Sequence, residues 1–369
     1  MKIELMIYVY IAICVSMIVY NIIYVFVLRH REVSLNSNSE KFEKIILDEI
    51  GRIKNGEGIS SKHIRLLRRK LDGTAGITAF DKALERVFEM TPEYAEKYIV
   101  GIFCVFEFLT ERYMTKDTIK IAYFPYILHK YKILKYDVDG HLTELLFELL
   151  RSVNVYCREN TLRALYSMEN TEITINALRI IDKNLSFHHP KLICDGLVLY
   201  NGDKQALKDR FFSEFGAFSV QMRVNVLNYF RFGDVRCDEE MLSILADEKE
   251  DNEIRYSAIR YFEKYPNENA KHALQAIAEN LEGRTWEYQA IATSALKSYP
   301  DDVTFRILVK NLSSSNWHVR QNSAISCEKL GYTYHDLISV FDGDDRYARE
   351  IMRYRLDRRN AADKAVVKQ

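Results

Sequence analysis

Apolar residues recur with a period near 3.6 along the C-terminal two thirds of the chain, and the pattern itself repeats about every thirty residues. Five segments place an arginine directly after an apolar residue. In four of them, apolar or small residues follow the arginine at three, four and seven positions. The arginines are Arg158, Arg223, Arg255, Arg320 and Arg349. Looser copies carry Lys191 and Gln289 there, and successive anchors lie 33, 32, 32, 34, 31 and 29 residues apart.

A repeating unit of this length holds two short antiparallel helices and a turn. The apolar period is helical and shows no strand alternation. One helix pair cannot bury its own apolar face, so neighbouring pairs must stack. The sequence therefore predicts an all-α fold, an α-solenoid of stacked antiparallel helix pairs.

The repeated pattern resembles HEAT repeats of the short bacterial type, an armadillo-like α-solenoid family, over roughly residues 140–357. The endings Tyr265–Pro266, Tyr299–Pro300 and Leu330–Gly331 stand where such repeats stop their second helix. Each ending places a helix-breaking residue after an apolar one. The resemblance implies stacked helix pairs and says little about function, because HEAT arrays serve as scaffolds, transport receptors and occasionally enzymes.

An uncharged apolar segment of 24 residues, Leu5 to Leu28, precedes the repeats. As a helix it reaches about 36 Å, which exceeds the roughly 30 Å of bilayer hydrocarbon. A cleaved signal peptide is the alternative, but its apolar region is about 7–15 residues long and ends at a small-residue cleavage site. The segment Val27–Arg31 offers no such site. The sequence therefore predicts one uncleaved transmembrane helix at residues 5–28.

The flanks of this segment predict its orientation. Arg29, His30 and Arg31 follow it directly, whereas the amino terminus and Lys2, offset by Glu4, precede it. Positive residues tend to stay on the cytoplasmic side. We therefore predict a single-pass protein of the cell membrane with its C-terminal part in the cytoplasm.

The cysteines favour the same side of the membrane. Beyond Cys14, the chain has five cysteines, an odd number without a pairing pattern. Extracytoplasmic domains more often have paired cysteines or none. We interpret these residues as small buried apolar side chains rather than as redox or metal-binding groups.

Three regions follow from these patterns. Residues 1–32 are a transmembrane anchor with a basic flank, and residues 33–91 are a juxtamembrane linker with a helical segment. The polar stretch 32–41 is the expected linker. Residues 92–369 form the HEAT-like solenoid, whose first helix starts at Thr91–Pro92 with Thr as its cap.

A basic helix is predicted from Ile64 to Leu71, with Ser60 or Ser61 as its cap. Its outer face carries Lys62, Arg65, Arg68, Arg69 and Lys70. Close to a membrane, such a cluster contacts anionic lipid at about 1 kcal/mol per basic residue. The alternative is a solvated helix face, and the sequence leaves both open.

Composition and motifs limit the chemistry. The 52 Lys and Arg equal the 52 Asp and Glu, which argues against nucleic acid as a partner. The segment Asp137–Gly140 resembles part of a calcium loop, but Lys135 and Leu146 occupy ligand positions. His188–His189 lacks zinc-ligand spacing. With no phosphate-binding loop or nucleophile motif either, we expect no metal, no cofactor and no enzymatic activity.

Two sets of residues are singled out within the repeats. The five repeat arginines are expected to be structural, each pairing with an acidic or carbonyl group of the neighbouring unit. The second helices also carry charged and aromatic residues suited to a concave partner-binding surface. These candidates are Tyr256, Arg260, Lys264, Trp286, Trp317 and His318.

The leading functional hypothesis is a membrane-anchored cytoplasmic scaffold that binds a membrane-associated protein partner. The resemblance to anchored bacterial HEAT proteins suggests envelope or exopolysaccharide glycosyltransferase systems as clients. A HEAT-like enzyme is one alternative, since bilin lyases and alkylpurine DNA glycosylases are built of similar repeats. A nucleic-acid-binding solenoid is another, and it requires a continuous basic stripe.

Overall fold

The chain is helical throughout the part that its computed structural model describes, which comprises residues 2–114, 118–184, 189–233, 235–279 and 285–366. No strand occurs within these ranges, so the all-α prediction is confirmed. The chain divides into two units, Met1–Ile173 with Asn184–Ser186, and Thr174–Lys183 with Phe187–Gln369. The boundary predicted between residues 91 and 92 lies inside the first unit.

The first unit contains eight helices among its described residues. They are α1 (Lys2–Lys54), α2 (Ser61–Lys70), α3 (Thr74–Met90), α4 (Pro92–Gly101), α5 (Phe103–Met114), α6 (Thr118–Lys130), α7 (His141–Leu149) and α8 (Val155–Tyr166). A 3-10 turn, Ile133–Tyr136, follows α6. Helix α1 packs against α3 and α4, α5 packs against α7, and α6 packs against α8.

Helix α1 is a single helix of 53 residues. Among the described residues it alone is long and apolar enough to cross a membrane. Its large apolar side chains from Met6 to Leu28 are 43–71% exposed. Its C-terminal part is buried through Phe42, Ile46 and Ile50.

The linker predicted at residues 32–41 is wrong, because α1 continues through it without a break. Serine and asparagine each cost a helix only about 0.7 kcal/mol or less relative to alanine. The burial of Phe42 and Ile46 just beyond this stretch outweighs that cost. The apolar segment 5–28 and the first unit are therefore joined by continuous helical backbone.

A polar clamp fixes the start of α2 against α1. The Ser60 hydroxyl accepts a hydrogen bond from the His63 amide at 3.2 Å, so Ser60 caps α2 as predicted. Glu49 accepts hydrogen bonds from the Ser60 hydroxyl and amide at 2.6 and 2.9 Å. Burial opposes the charge of Glu49, but these bonds, with His63 and Arg52, hold its pKa below the ordinary value.

The same clamp reaches α4 through His63. Its Nε2 lies 2.7 Å from the Tyr98 hydroxyl, and burial lowers the pKa of the imidazole despite the nearby Glu49 carboxylate. Pro92 is the first residue of α4, as predicted. Thr91 does not cap that helix: its hydroxyl donates to the Val87 carbonyl at 3.4 Å, because it remains tied to the end of α3.

The second unit continues the helical pattern. Its helices are α9 (Thr171–Lys183), α10 (Pro190–Val198), α11 (Lys204–Ser213), α12 (Val220–Phe232), α13 (Asp238–Ala246), α14 (Asn252–Lys264), α15 (Glu268–Glu279), α16 (Trp286–Ala295), α17 (Asp302–Asn311), α18 (Trp317–Lys329), α19 (Ile338–Phe341) and α20 (Arg346–Val366). Helices α10, α12, α14, α16, α18 and α20 pack each on the next. Helices α13, α15 and α17 also pack each on the next, and they pack against α14, α16 and α18 respectively.

We call α10, α12, α14, α16, α18 and α20 the second helices of their pairs. Side chains on or just after a second helix donate hydrogen bonds to the terminal carbonyls of the second helix before it. The last four carbonyls of an α-helix have no partner within the helix. Lys264 Nζ donates to the Arg231 carbonyl at 2.8 Å, and Tyr299 Oη donates to the Phe262 carbonyl at 2.8 Å. In three further bonds, the Ser298 hydroxyl donates to the Glu263 carbonyl, the Ser326 hydroxyl to the Thr293 carbonyl and the Arg359 guanidinium to the Glu328 carbonyl. These five bonds span 31–37 residues, close to the length of the sequence repeat.

Ion pairs reinforce these bonds at the same end of the helices. Lys297 Nζ lies 2.5 Å from a Glu263 carboxylate oxygen, and Arg355 Nη1 lies 3.4 Å from one of Glu328. All four side chains are less than a third exposed, which limits screening by water and salt. Each second helix is thereby fixed in register with the next.

We predict that Glu49→Gln lowers the free energy of unfolding by about 1.5–3 kcal/mol at neutral pH, since hydrogen bonds to a charged acceptor are lost. Because the pKa of Glu49 is lower in the folded state, its contribution is complete above the unfolded pKa of about 4.3 and is lost as pH falls through the folded value. Chemical denaturation of both proteins at pH 7 and at about pH 2.5, where the carboxyl group is largely protonated, measures this. An equal difference at both pH values would contradict the role of the Glu49 charge.

The carbonyl bonds give a second prediction. Tyr299→Phe removes only the hydroxyl, which donates to the Phe262 carbonyl and accepts from the Asn267 amide at 3.2 Å, and Tyr299 is 4% exposed. We expect a loss of about 1–2 kcal/mol in unfolding free energy. Tyr354→Phe, at a ring that is 61% exposed, is the matched control and is expected to change stability by less than about 0.5 kcal/mol. Equal effects of the two substitutions would argue against the bond.

Candidate partner-binding surface

Two of the five repeat arginines fasten a second helix to the turn that precedes it. Arg158 is 1% exposed, and its Nη1 donates to the carbonyls of Ser152 and Val153 at 2.7 and 3.0 Å. Arg349 donates to the carbonyl of Gly343 in the same way. These hydrogen bonds hold each second helix to its own helix pair, because the preceding turn presents its carbonyls first.

The other three arginines reach the next helix pair. Arg223 Nη1 lies 3.0 and 3.1 Å from the two Glu250 oxygens, just before α14. Arg255 donates at 3.2 Å both to the Leu245 carbonyl of its own pair and to the Tyr288 hydroxyl on α16. The Arg320 guanidinium lies 5.1 Å from the centre of the Tyr347 ring on α20.

Gln289 occupies the position of the repeat arginine and carries no charge. Its Nε2 donates to the Ala278 carbonyl at the end of α15 at 3.0 Å. Arg255 makes the equivalent contact with Leu245 at the end of α13. A donor at this position therefore holds the first helix of a pair to the second, whichever residue supplies it.

Three of the six predicted partner-binding residues come together as one exposed group, which we call the aromatic cluster: Trp286, Trp317 and His318. The Trp286 and His318 rings stack with centres 4.9 Å apart and planes at 14°. Trp317 meets His318 edge to face at 5.0 Å and 79°. The tryptophans are 41% and 56% exposed.

Helix capping explains why these rings stand at the surface. Asn316 accepts hydrogen bonds from the His318 and Val319 amides at 2.9 and 3.3 Å, which starts α18 at Trp317. Trp286 is likewise the first residue of α16. Side chains of a first turn point back beyond the helix N-terminus, so these rings project past the end of the packed helices.

The first turns of the flanking helices differ in exposure. Tyr347, on α20, is 66% exposed and extends the aromatic surface beside Arg320. Sequence reasoning missed it, although an aromatic residue at the start of a second helix was the available signal. Tyr256, on α14, is 5% exposed, which contradicts its assignment to a partner-binding surface. Its ring packs edge to face on Tyr288 at 4.7 Å, so it supports α16 instead.

Arg260 and Lys264 lie further along α14 and make no ring contact with the aromatic cluster among the contacts of the described residues. Lys264 is exposed, but its ammonium bonds the Arg231 carbonyl and lies 5.0 Å from the Tyr265 ring centre. Arg260 is half-buried near Arg231. Burial and the Arg260 charge lower the pKa of Arg231, which nevertheless stays protonated at neutral pH.

A groove in the first unit is a second candidate site, which sequence reasoning missed. A buried polar network underlies it. Asp81, 7% exposed, accepts hydrogen bonds from the Tyr123 and Tyr131 hydroxyls, both at 2.7 Å, and from Lys130 Nζ at 2.9 Å. Burial and the hydrogen bond to Asp81 raise the pKa of both tyrosines. The network fixes α6 to α3.

The groove above this network has a volume of about 460 Å³. Glutamates of α3 and α4, lysines at and after the end of α6, and three aromatic rings line it: Glu85, Glu89, Glu96, Lys130, Lys132, Lys135, Phe88, Tyr131 and Tyr136. One sequence signal was available: Asp81 lies among the apolar positions of α3, between Ile77 and Leu84. A carboxylate on an apolar helix face is expected to have buried partners.

The remaining motifs act as helix caps or core residues. Asp137 accepts a hydrogen bond from the Thr143 amide at 2.7 Å at the start of α7. His189 caps α10, and His188 lies outside the described residues. Cys157, Cys194, Cys237 and Cys327 are buried, and burial raises the pKa of Cys237 to about 12. In the part of the chain that the structure describes, no group of three or more His, Cys, Asp or Glu residues is arranged to hold a metal ion.

Comparison with known proteins names no family for the chain. No protein-family model matches the sequence, and no curated protein is similar to it. Among solved structures, an engineered protein is 17% identical with a TM-score of 0.30, covering 78% of this chain and 86% of the other. Human deoxyhypusine hydroxylase, in complex with glycerol, is 16% identical with a TM-score of 0.27, covering 80% and 95%.

These comparisons correct one expectation from the sequence. The absence of catalytic motifs led us to expect no enzymatic activity, yet one similar structure is a hydroxylase, an enzyme. The exclusion of catalysis is therefore withdrawn. At these identities and TM-scores the likeness carries no argument about the activity of this chain.

Proposed function

We propose that this protein is a membrane-anchored scaffold whose helix pairs form a HEAT-like α-solenoid and bind a protein partner through the aromatic cluster. The observation that carries the proposal is the exposure of Trp286 and Trp317, stacked around His318 on the first turns of adjacent helices. Tryptophan is among the residues most enriched at energetic hot spots of protein interfaces.

The rigidity of the aromatic cluster supports this role. Both tryptophan rings contact His318, and the helices that carry them are held in register by carbonyl bonds and packing. A partner therefore meets rings that are already ordered, which reduces the entropy lost on binding. Tyr347 on α20 adds a further aromatic ring, and Arg320 on α18 adds a cationic group; both residue types are frequent in interfaces.

The exposed apolar face of α1 supports membrane anchoring. Side chains from Met6 to Leu28 are exposed on all sides of the helix, and a bilayer would cover that area. Arg29 and Arg31 at its C-terminal end favour a cytoplasmic location for both units. The partners to test first are envelope or exopolysaccharide glycosyltransferase systems, which the repeat resemblance suggested.

We do not include the basic face of α2 in the membrane contact. Lys70 Nζ lies 5.6 Å from the ring centre of Phe42, which is fourteen residues beyond Leu28. That separation is about 21 Å along the axis of α1. It is roughly twice the Debye length of about 10 Å, so attraction to lipid charge at that depth is largely screened.

We predict that the double substitution Trp286→Ser and Trp317→Ser weakens partner capture at least about tenfold, as expected for hot-spot residues. The measurement is photo-crosslinking in native membranes from full-length protein carrying benzoylphenylalanine in place of Tyr347. Tyr156→Ser is the matched control, because Tyr156 is also on a first turn and is 69% exposed. Undiminished capture by a folded double variant would contradict the proposed binding site.

Topology gives an independent prediction. A cysteine placed at the exposed position of Ser37 is expected to resist a membrane-impermeant maleimide in intact cells and to react after permeabilisation. A cysteine added at the N-terminus is expected to show the opposite behaviour. Labelling of the Ser37→Cys variant in intact cells would reverse the orientation.

A further inference from the structure

We propose that the groove of the first unit binds an amphoteric peptide segment, one that carries a cationic and an anionic side chain on either side of an apolar or aromatic residue. This proposal concerns a site remote in sequence from the aromatic cluster and does not depend on the function proposed above. The groove has a volume of about 460 Å³, within the range of about 300–1,000 Å³ that is typical of ligand sites.

The two walls of the groove carry opposite charges. Glu89 and Glu96 stand on one wall, and Lys132 and Lys135 stand on the other, and all four are exposed. Within the described residues, none of the four has a partner of opposite charge within 4.0 Å. Unpaired charges of opposite sign across one cavity are complementary to a ligand that carries both signs.

The floor of the groove is rigid and apolar. Phe88 stacks on Tyr131 with ring centres 5.1 Å apart and planes at 26°. The Tyr131 hydroxyl donates to Asp81, so this ring cannot turn without breaking a buried hydrogen bond. An aromatic or aliphatic side chain laid on these faces is buried without reorganisation of the site.

Backbone conformation supports the position of the basic wall. Lys132 has φ +49°, a left-handed conformation that non-glycine residues rarely adopt. It directly follows Tyr131 and precedes the 3-10 turn that carries Lys135. Such conformations persist where the surroundings enforce them and cluster at ligand sites. Here it places Lys132 on the groove next to the aromatic floor.

Charge and shape together favour a peptide over a simpler ligand. A purely anionic ligand would be repelled by the glutamates, and a purely cationic ligand would be repelled by the lysines. A nucleic acid meets the same objection at the acidic wall. A peptide with alternating charges satisfies both walls and supplies the apolar group for the floor.

The test uses the full chain in lipid nanodiscs and isothermal titration calorimetry. The probe is an acetylated and amidated peptide with the order lysine, glycine, phenylalanine, glycine, glutamate. We expect binding that weakens about fivefold to tenfold when glutamine replaces either charged residue of the peptide. It should also weaken as salt rises from 0.05 to 0.5 M, since the contacts are partly exposed.

Protein variants assign each wall. In Glu89→Gln with Glu96→Gln, replacing the peptide lysine should no longer matter, while replacing its glutamate still should. Lys132→Gln with Lys135→Gln should show the reverse. Glu93→Gln with Lys97→Gln is the control, because this exposed pair on α4 is joined at 2.7 Å and is not part of the groove lining.

Three results would overturn the proposal. They are no binding of the probe at millimolar concentration, equal binding of peptides that lack one charge, and binding that neither wall variant alters. Binding of free phenylalanine in preference to the peptide would also overturn it and assign the groove to small zwitterions. Circular dichroism of each variant separates these results from loss of folding.

Discussion

In the second unit, one helix pair alone cannot satisfy its terminal carbonyls or bury its apolar face. Each second helix ends with carbonyls that have no acceptor role inside the helix, and each pair exposes an apolar face. Tyr299, Ser298 and Lys264 donate to the last turn of the preceding second helix, while the apolar faces are buried by the same packing. The adjacent pair thus supplies both the donors for the terminal carbonyls and the cover for the apolar face. The register between neighbouring helices and the burial of their apolar faces are therefore set by the same packing.

Register at the C-terminal ends of these helices determines what lies at their N-terminal ends. Helices α16 and α18 are of similar length and pack on each other, so their first turns lie side by side. Trp286 therefore meets His318 although 32 residues separate them in sequence. The first turns of α16 and α18 have no preceding helical turn that could cover their side chains. The aromatic cluster is therefore exposed because both helices begin at tryptophan.

The repeat pattern was enough to predict the helix pairs and the positions of their anchoring side chains. It was not enough to predict each partner. Arg158 and Arg223 occupy the same pattern position, yet one bonds turn carbonyls and the other bonds Glu250 in the next pair. That choice depends on whether a carboxylate stands within reach, and the position of Glu250 is fixed by a turn whose geometry the apolar period does not encode.

Other errors have equally local causes. Tyr256 was assigned to the partner-binding surface as an aromatic residue of a second helix, but its ring is buried against Tyr288 on the next helix. The groove of the first unit was missed because its residues come from α3, α4 and α6, which carry no recognisable repeat. Asp81 was the visible exception in an apolar helix face, and its significance depends on Tyr123 and Tyr131 more than 40 residues away.

In the proposed membrane anchoring, the unbroken course of α1 leaves no flexible linker between its apolar segment and the first unit. A helix that is buried at Phe42, Ile46 and Ile50 transmits a change in its tilt to α3 and α4, against which it packs. Since bilayer thickness sets the tilt of a long apolar helix, it would also set the orientation of the groove of the first unit relative to the membrane plane. Under this proposal, lipid composition acts mechanically on the protein.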